Sequence, residues 1–163
     1  MKKGSTLILK LAIIVIGLLV LALCIFALPS AWNGVSEEYP NHATIVYAFH
    51  LIFIGMYISA IPFYFGLYQG LKLLSFIDKN TAFSDASVKA LRNIKFCALA
   101  VGLIYLAGVP LLFPFADADD APGVLPIGFA IACAPIVVSV FAAVLERLLK
   151  SAIEMKSEND LTV

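Results

Sequence analysis

The sequence predicts an all-helical membrane protein: four transmembrane helices in an antiparallel up-down bundle, with both termini in the cytoplasm. Three observations predict it. The first is composition: of 163 residues, 62% are hydrophobic and only 13% charged, with a mean hydropathy of +1.00. A soluble domain carries about 45–50% apolar and roughly 25% charged residues, so polar surface is too scarce here to cover a globule and the excess must face lipid. The second is the presence of four apolar runs of spanning length. The third is the placement of every Lys and Arg on one side of the membrane that those runs imply.

A hydrocarbon core about 30 Å thick needs roughly 20 residues of helix at 1.5 Å rise each. The qualifying runs are Leu7–Leu28, Thr44–Leu67, Phe96–Phe115 and Val124–Leu145. With their polar extensions they predict helices over about 7–28, 44–77, 85–115 and 124–153 of a single domain spanning 1–163. Lys10 is the one charge embedded in a run, close enough to its start for the stem to snorkel to the headgroups. The first run also suits a signal peptide in having Lys2-Lys3 before it, but it is long and poor in small residues at a cleavage position, so it is expected to be retained as a span.

Orientation follows from charge. Lys2, Lys3 and Lys10 lie at the amino end; Lys72, Lys79, Lys89, Arg92 and Lys95 lie between the second and third runs; Arg147, Lys150 and Lys156 follow the fourth. The other two connections hold Glu37 and Glu38, then Asp117, Asp119 and Asp120, with no basic residue. Four crossings put all the basic residues on one face, which the positive-inside rule makes cytoplasmic; an odd number of crossings would scatter them. The location predicted is the bacterial inner membrane. Cys24, Cys97 and Cys133 each sit within an apolar run and are expected to pack as free thiols.

The connections are short. Pro29–Ala43 carries Trp32, Asn33-Gly34 and Tyr39-Pro40, turn signals with rings suited to the interface. Ala116–Gly123 is an acidic turn closed by Pro122-Gly123. Pro110, Pro114, Pro126 and Pro135 fall in or near the last two helices, where neighbouring helices can satisfy the freed backbone. Gly66/Gly70, Ala98/Gly102 and Gly128/Ala132 stand four apart and predict close helix contacts.

The cytoplasmic connection is the most patterned polar segment. Asp78-Lys79-Asn80-Thr81 breaks the second helix, and Ser84 is placed as an N-cap whose hydroxyl accepts from the next turn. Phe83 and Val88 have the spacing of a hydrophobic staple, and Asp85 suits the positive end of the dipole. Val88, Leu91, Ile94 and Ala98 recur at helical spacing, with Lys89, Arg92 and Lys95 directed to water or phosphate. Phe83, Ser84, Lys89, Arg92 and Lys95 are therefore the candidate contacts to a partner or to the anionic inner leaflet. Lipid accounts for this basic face without direct nucleic-acid binding.

Asn80-Thr81-Ala82-Phe83-Ser84, then Val88-Lys89-Ala90-Leu91-Arg92-Asn93-Ile94, and the ending Ser157-Glu158-Asn159-Asp160-Leu161-Thr162-Val163 resemble a bacterial family of small integral-membrane proteins known as domain of unknown function 2975. The resemblance covers essentially the whole chain. It implies a multi-pass membrane protein, and it brings no activity, substrate or catalytic residue with it. Members of the family are described beside small helix-turn-helix regulators, so the resemblance implies a cytoplasmic DNA-binding protein as a possible partner.

Chemistry has few places to sit. Tyr47, His50, Tyr57, Tyr64 and Tyr68 recur at spacings of three, seven, seven and four, which puts them on one stripe of the second helix, with Pro62 able to bend it. An ionisable residue within a membrane helix is by default a candidate site. In one reading the stripe lines a polar path; in the other His50 bonds a neighbour near the surface and the tyrosines pack. No Asp, Glu, Lys or Arg stands mid-membrane to partner His50. His42, His50 and Glu38 lack a further ligand at a zinc spacing, and the Asp117–Asp120 cluster lacks a calcium-loop pattern. No nucleophile elbow or phosphate-cradling glycine loop occurs. The expectation is a non-enzymatic protein without metal or cofactor, acting in sensing, regulation or interaction through its cytoplasmic face. The alternative is an oligomeric small transporter or channel subunit with a polar path along the second helix, and homo-oligomers fit either reading.

Overall fold

The computed structural model describes residues 3–161, and every regular element in it is helical. In order they are α1 (Lys3–Ala22), a π-helical turn (Leu23–Ala27), α2 (Leu28–Glu38), α3 (Ala43–Asp78), α4 (Asp85–Gly108), a 3₁₀ turn (Val109–Leu112), α5 (Phe113–Ala118) and α6 (Val124–Leu161). No strand occurs among the described residues. Lys2 of the basic amino end and Thr162 and Val163 of the tail motif lie outside them. Four stretches are long and apolar enough to cross a membrane: Thr6–Glu38, Ala43–Asp78, Asp85–Ala118 and Val124–Asn159.

The first helical stretch is longer than its apolar run. Trp32, Asn33 and Gly34 are helical rather than a turn, and the connection shrinks to Tyr39–His42. Proline explains how the chain continues. Pro29 is the second residue of α2, where its missing N–H is no loss to the new helix. It does disturb the turn before it, and Leu28 N–H reaches back five residues to the Leu23 carbonyl, the bond that defines a π turn. The third helix departs from expectation in the opposite sense. Pro110 and Pro114 interrupt 85–115, so α4 ends at Gly108, a 3₁₀ turn follows, and α5 begins anew with Pro114 in its first turn. The fourth runs past 153 to Leu161.

The helices contact one another in chain order. α1 lies along α3, α3 along α4, and α4 along α6. Glycines set the close approaches: a Cβ at Gly66 would stand 3.3 Å from Cys97 Cβ, and one at Gly70 would stand 3.4 Å from Ile13. Gly102 meets Ile136, where a Cβ would come within 2.5 Å of Cγ1. Ala132 is buried. The small residues at four-residue spacing thus mark contact faces. Beyond Lys10 the first helix is apolar on all sides, and Leu11, Leu18, Leu19 and, in the π turn, Phe26 remain exposed, as a helix that touches one neighbour and lipid requires. Because α3 and α6 flank α4 without closing on each other, a cleft remains between them at each end of the molecule.

Two connections use left-handed backbone. Asn80 (φ 57°) and Asp120 (φ 47°) end the turns after α3 and α5, and these are residue types that tolerate that region best after glycine.

Candidate functional site

The stripe on α3 faces the first helix. Tyr64 donates to the Gly17 carbonyl at 2.8 Å, Tyr57 to the Cys24 carbonyl at 2.9 Å, and His50 Nε2 lies 3.4 Å from the Trp32 carbonyl. The Trp32 and His50 rings stack at 3.9 Å between centroids, 15° from parallel. Tyr47 and Tyr68 do not join this seam; both rings are exposed. The approach at Gly17 is close: a Cβ there would touch the Tyr64 ring at 3.7 Å and press on Leu67 Cδ1 at 3.3 Å.

The π turn explains the bond at Cys24. In that hydrogen-bonding pattern the donor to the Cys24 carbonyl is residue 29, which is a proline and has no N–H. Tyr57 fills the gap from the neighbouring helix, which is how proline is accommodated where water is absent. Gly17 sits in regular helix, so its carbonyl accepts the Tyr64 hydroxyl on a second lone pair. Removing the two hydroxyls should therefore have unequal effects. Tyr57→Phe is expected to destabilise the folded chain by about 1–2 kcal/mol and Tyr64→Phe by about 0.5 kcal/mol, read by unfolding of the purified protein in mixed micelles.

The charged residues at the opposite ends of the same helices are also paired. The Lys10 ammonium meets the Asp78 carboxylate at the end of α3, so its stem is anchored to protein. Glu146 of α6 accepts from Arg92 Nε at 2.9 Å and from Lys95 Nζ at 2.6 Å. Ser139 Oγ, two turns earlier on α6, donates to the Lys95 carbonyl at 2.8 Å. The Glu146 side chain is 11% exposed and Lys95 is 24% exposed, whereas Arg92 is 62% exposed. Lys95 also lies 4.9 Å from the centre of the Phe96 ring. Of the basic residues first read as facing water or phosphate, Lys95 is thus spent largely on α6, and Arg92 reaches both α6 and solvent.

Glu146 escaped the sequence reading. It lies 54 and 51 residues from its partners, and within Leu145-Glu146-Arg147 it has the look of a charge that ends a span. One signal was present: it stands among apolar residues at 142, 145, 149 and 153, on the face that must pack.

The hairpin between α3 and α4 is built as its sequence indicates. Ser84, extended at φ −144° and ψ 154°, accepts from the Ser87 backbone N–H at 3.4 Å and donates to the Thr81 carbonyl at 2.8 Å. Ser87 is fully buried, its hydroxyl 3.2 Å from that of Ser84. Phe83 is exposed. It borders an apolar cleft of about 380 Å³ with Ile77, Leu91, Leu145, Leu148 and Ala152. Lys89 is exposed on the first turns of α4.

At the acidic end the two connections are tied together. Tyr39 donates to the Asp119 carboxylate at 2.8 Å and meets the Phe115 ring edge-on. That hydrogen bond, with some burial and the nearby Asp119 and Glu38 charges, raises the phenol above its ordinary pKa. The His42 and Tyr39 rings meet edge to face, and His50 stacks on Trp32.

Helices of this length and composition, joined by short turns and sealed by ring-to-carbonyl bonds at bilayer depth, define a polytopic helical membrane protein. The chain belongs to the family described as Protein of unknown function (DUF2975), whose model matches residues 30–163. This bears out the resemblance carried by the hairpin and tail residues. The chain is 55% identical over 163 residues, 100% of both chains, to the uncharacterized membrane protein YoaS of Bacillus subtilis (strain 168). No solved structure matches it.

Proposed function

We propose that this membrane protein is non-enzymatic and acts by engaging a cytoplasmic protein with the basic end of its helices. The reading includes an inner-membrane location, an antiparallel up-down course and cytoplasmic termini. Residue numbers fall on one partner as they rise on the other: Lys10, Gly17, Cys24 and Trp32 of the first helix meet Asp78, Tyr64, Tyr57 and His50 of α3 in turn, Gly55 and Gly66 of α3 meet Ile104 and Cys97 of α4, and Arg92 and Gly102 of α4 meet Glu146 and Ile136 of α6. That register supports the up-down course. The basic end carries eleven Lys and Arg against six Asp and Glu, a net of five positive charges, which supports the orientation.

The observation that carries the functional reading is the exposed pair Phe83 and Leu148 at the rim of the apolar cleft. Beyond the apolar run ending at Leu67, α3 continues from Tyr68 to Asp78, about 16 Å of helix, so this rim stands past the hydrocarbon. The occupant that fits is an amphipathic helix of a cytoplasmic protein, its apolar ridge in the cleft and its acidic flanks matched to the surrounding positive charge. A small helix-turn-helix regulator is the partner class to look for first. The transporter reading loses support from the seam on α3, because His50, Tyr57 and Tyr64 turn their polar atoms to backbone carbonyls of the first helix.

The test is photocrosslinking in intact cells from residues 83 and 148, followed by identification of the adducts. A soluble protein captured at both positions, and lost roughly tenfold with Leu148→Glu, is the expected result. Adducts to lipid alone or to other copies of the chain would overturn the proposal.

A further inference from the structure

The second cleft lies at the acidic end, between α3, α4 and α6, and has no part in the reading above. Its volume is about 550 Å³, more than three times the roughly 150 Å³ of an apolar cavity that takes up benzene. Its walls are aliphatic side chains and glycine backbone, including Ile52, Gly55, Ile104, Gly108 and Leu112. The polar side chain there is Tyr105, whose hydroxyl is 3.4 Å from the Ser59 hydroxyl, so water finds little to bond. Leu51 and Ile131, which also line the cleft, are 53% and 58% exposed on the outside of the helices. The cleft is therefore continuous with the surface that this membrane protein presents to lipid.

Two features of the chain open this space. Pro110 has no N–H to donate, and α4 gives way to the 3₁₀ turn, whose Val109, Leu111 and Leu112 line the cleft. Gly108, on the cleft wall, has room for a side chain: a Cβ there would make only an ordinary contact, with Ile52 Cγ1 at 3.9 Å. Its backbone is helical at φ −77°, so nothing in its conformation requires glycine. Ordinary packing would have filled the position with a side chain.

From this we propose that the cleft is a binding site for one acyl chain of a membrane phospholipid, inserted sideways from the bilayer between α3 and α6. An apolar space of this size at hydrocarbon depth is held open by filling it, and the bilayer supplies chains at high local concentration on its open side.

The test uses the full-length chain in phospholipid nanodiscs doped with a phosphatidylcholine that carries a diazirine on one acyl chain. After illumination, peptide mass spectrometry compares adducts at residues 104–112 with those on the lipid face of α1 around Leu18 and Leu19. The wild-type chain should show strong enrichment at 104–112. Gly108→Leu, which fills the cleft from within, should reduce those adducts by roughly tenfold and leave the α1 adducts unchanged. Ile131→Trp, which narrows the opening from outside, should do the same and guards against a local effect of the first variant. Equal labelling of both regions in the wild-type chain, or labelling unaffected by both variants, would each overturn the proposal.

Discussion

Glu146→Leu should destabilise the protein by about 2–4 kcal/mol, a large part of the stability of a chain this size. The carboxylate is 11% exposed and holds two cations. Removing it leaves the Lys95 ammonium one-quarter exposed, against Phe96 and beside α6, with no counter-charge. Arg92, mostly in solvent, adds little to the loss. A second variant separates this account from simple damage to packing. Lys95→Met combined with Glu146→Leu removes both partners and replaces them with apolar atoms of similar length, and should recover most of the stability, because it is the orphaned charge that is costly. The measurement is the unfolding free energy of each variant in mixed micelles. If the double variant is no more stable than Glu146→Leu, the ion pair is not the cause.

Gly102→Leu is expected to be as severe through a different route. A Cβ at 102 would stand 2.5 Å from Ile136 Cγ1 and 3.2 Å from the Ile136 backbone nitrogen. The side chain of Ile136 can turn aside, but its backbone cannot, so α4 and α6 must move apart along their closest contact. Overpacking of this kind costs about 1–3 kcal/mol, and more when a backbone blocks relief. Gly102→Ala should be milder, and Ile136→Ala should restore part of its loss. Gly34, inside α2, has nothing within 4 Å of its missing Cβ, so Gly34→Ala should not destabilise the protein and should gain up to about 1 kcal/mol from helix propensity. A thermal melt followed by circular dichroism ranks the four variants. Equal effects at 102 and 34 would show that helix separation is not what the bulk at 102 causes.

The helices and the family were legible in the sequence because their causes are local or summed. A run of apolar residues reports its own solvent, and a serine before Asp85-Ala86-Ser87 reports its own cap. Small residues four apart marked close approaches, Gly66 to α4, Gly70 to α1 and Gly102 to α6. The seam on α3 was half legible. Seven-residue spacing put His50, Tyr57 and Tyr64 on one side, but nothing in α3 says that the partner is a backbone carbonyl of a different helix. Prolines were the weakest guide. The same residue type ends α4 at Pro110, produces a π turn before Pro29, and is carried inside α3 at Pro62 and inside α6 at Pro135. Which outcome occurs depends on whether a neighbour can supply the lost hydrogen bond or the chain must bend. Glu146 was illegible for the same reason: its partners are set by packing more than fifty residues away.

The π turn has a geometrical consequence for the first helix. The rings on α3 advance in equal steps of seven, from 64 to 57 to 50. Their partners on the first helix do not: Gly17 to Cys24 is seven residues, and Cys24 to Trp32 is eight. Along an unbroken α-helix at about 100° per residue, the eighth residue would turn Trp32 roughly 80° off the line of the other two. A π turn holds one more residue in the same rotation, so Leu23–Ala27 absorbs the surplus and returns Trp32 to the line. One imino acid thereby sets the angular phase of everything from Leu28 to Glu38, and with it the meeting of the lone tryptophan and His50.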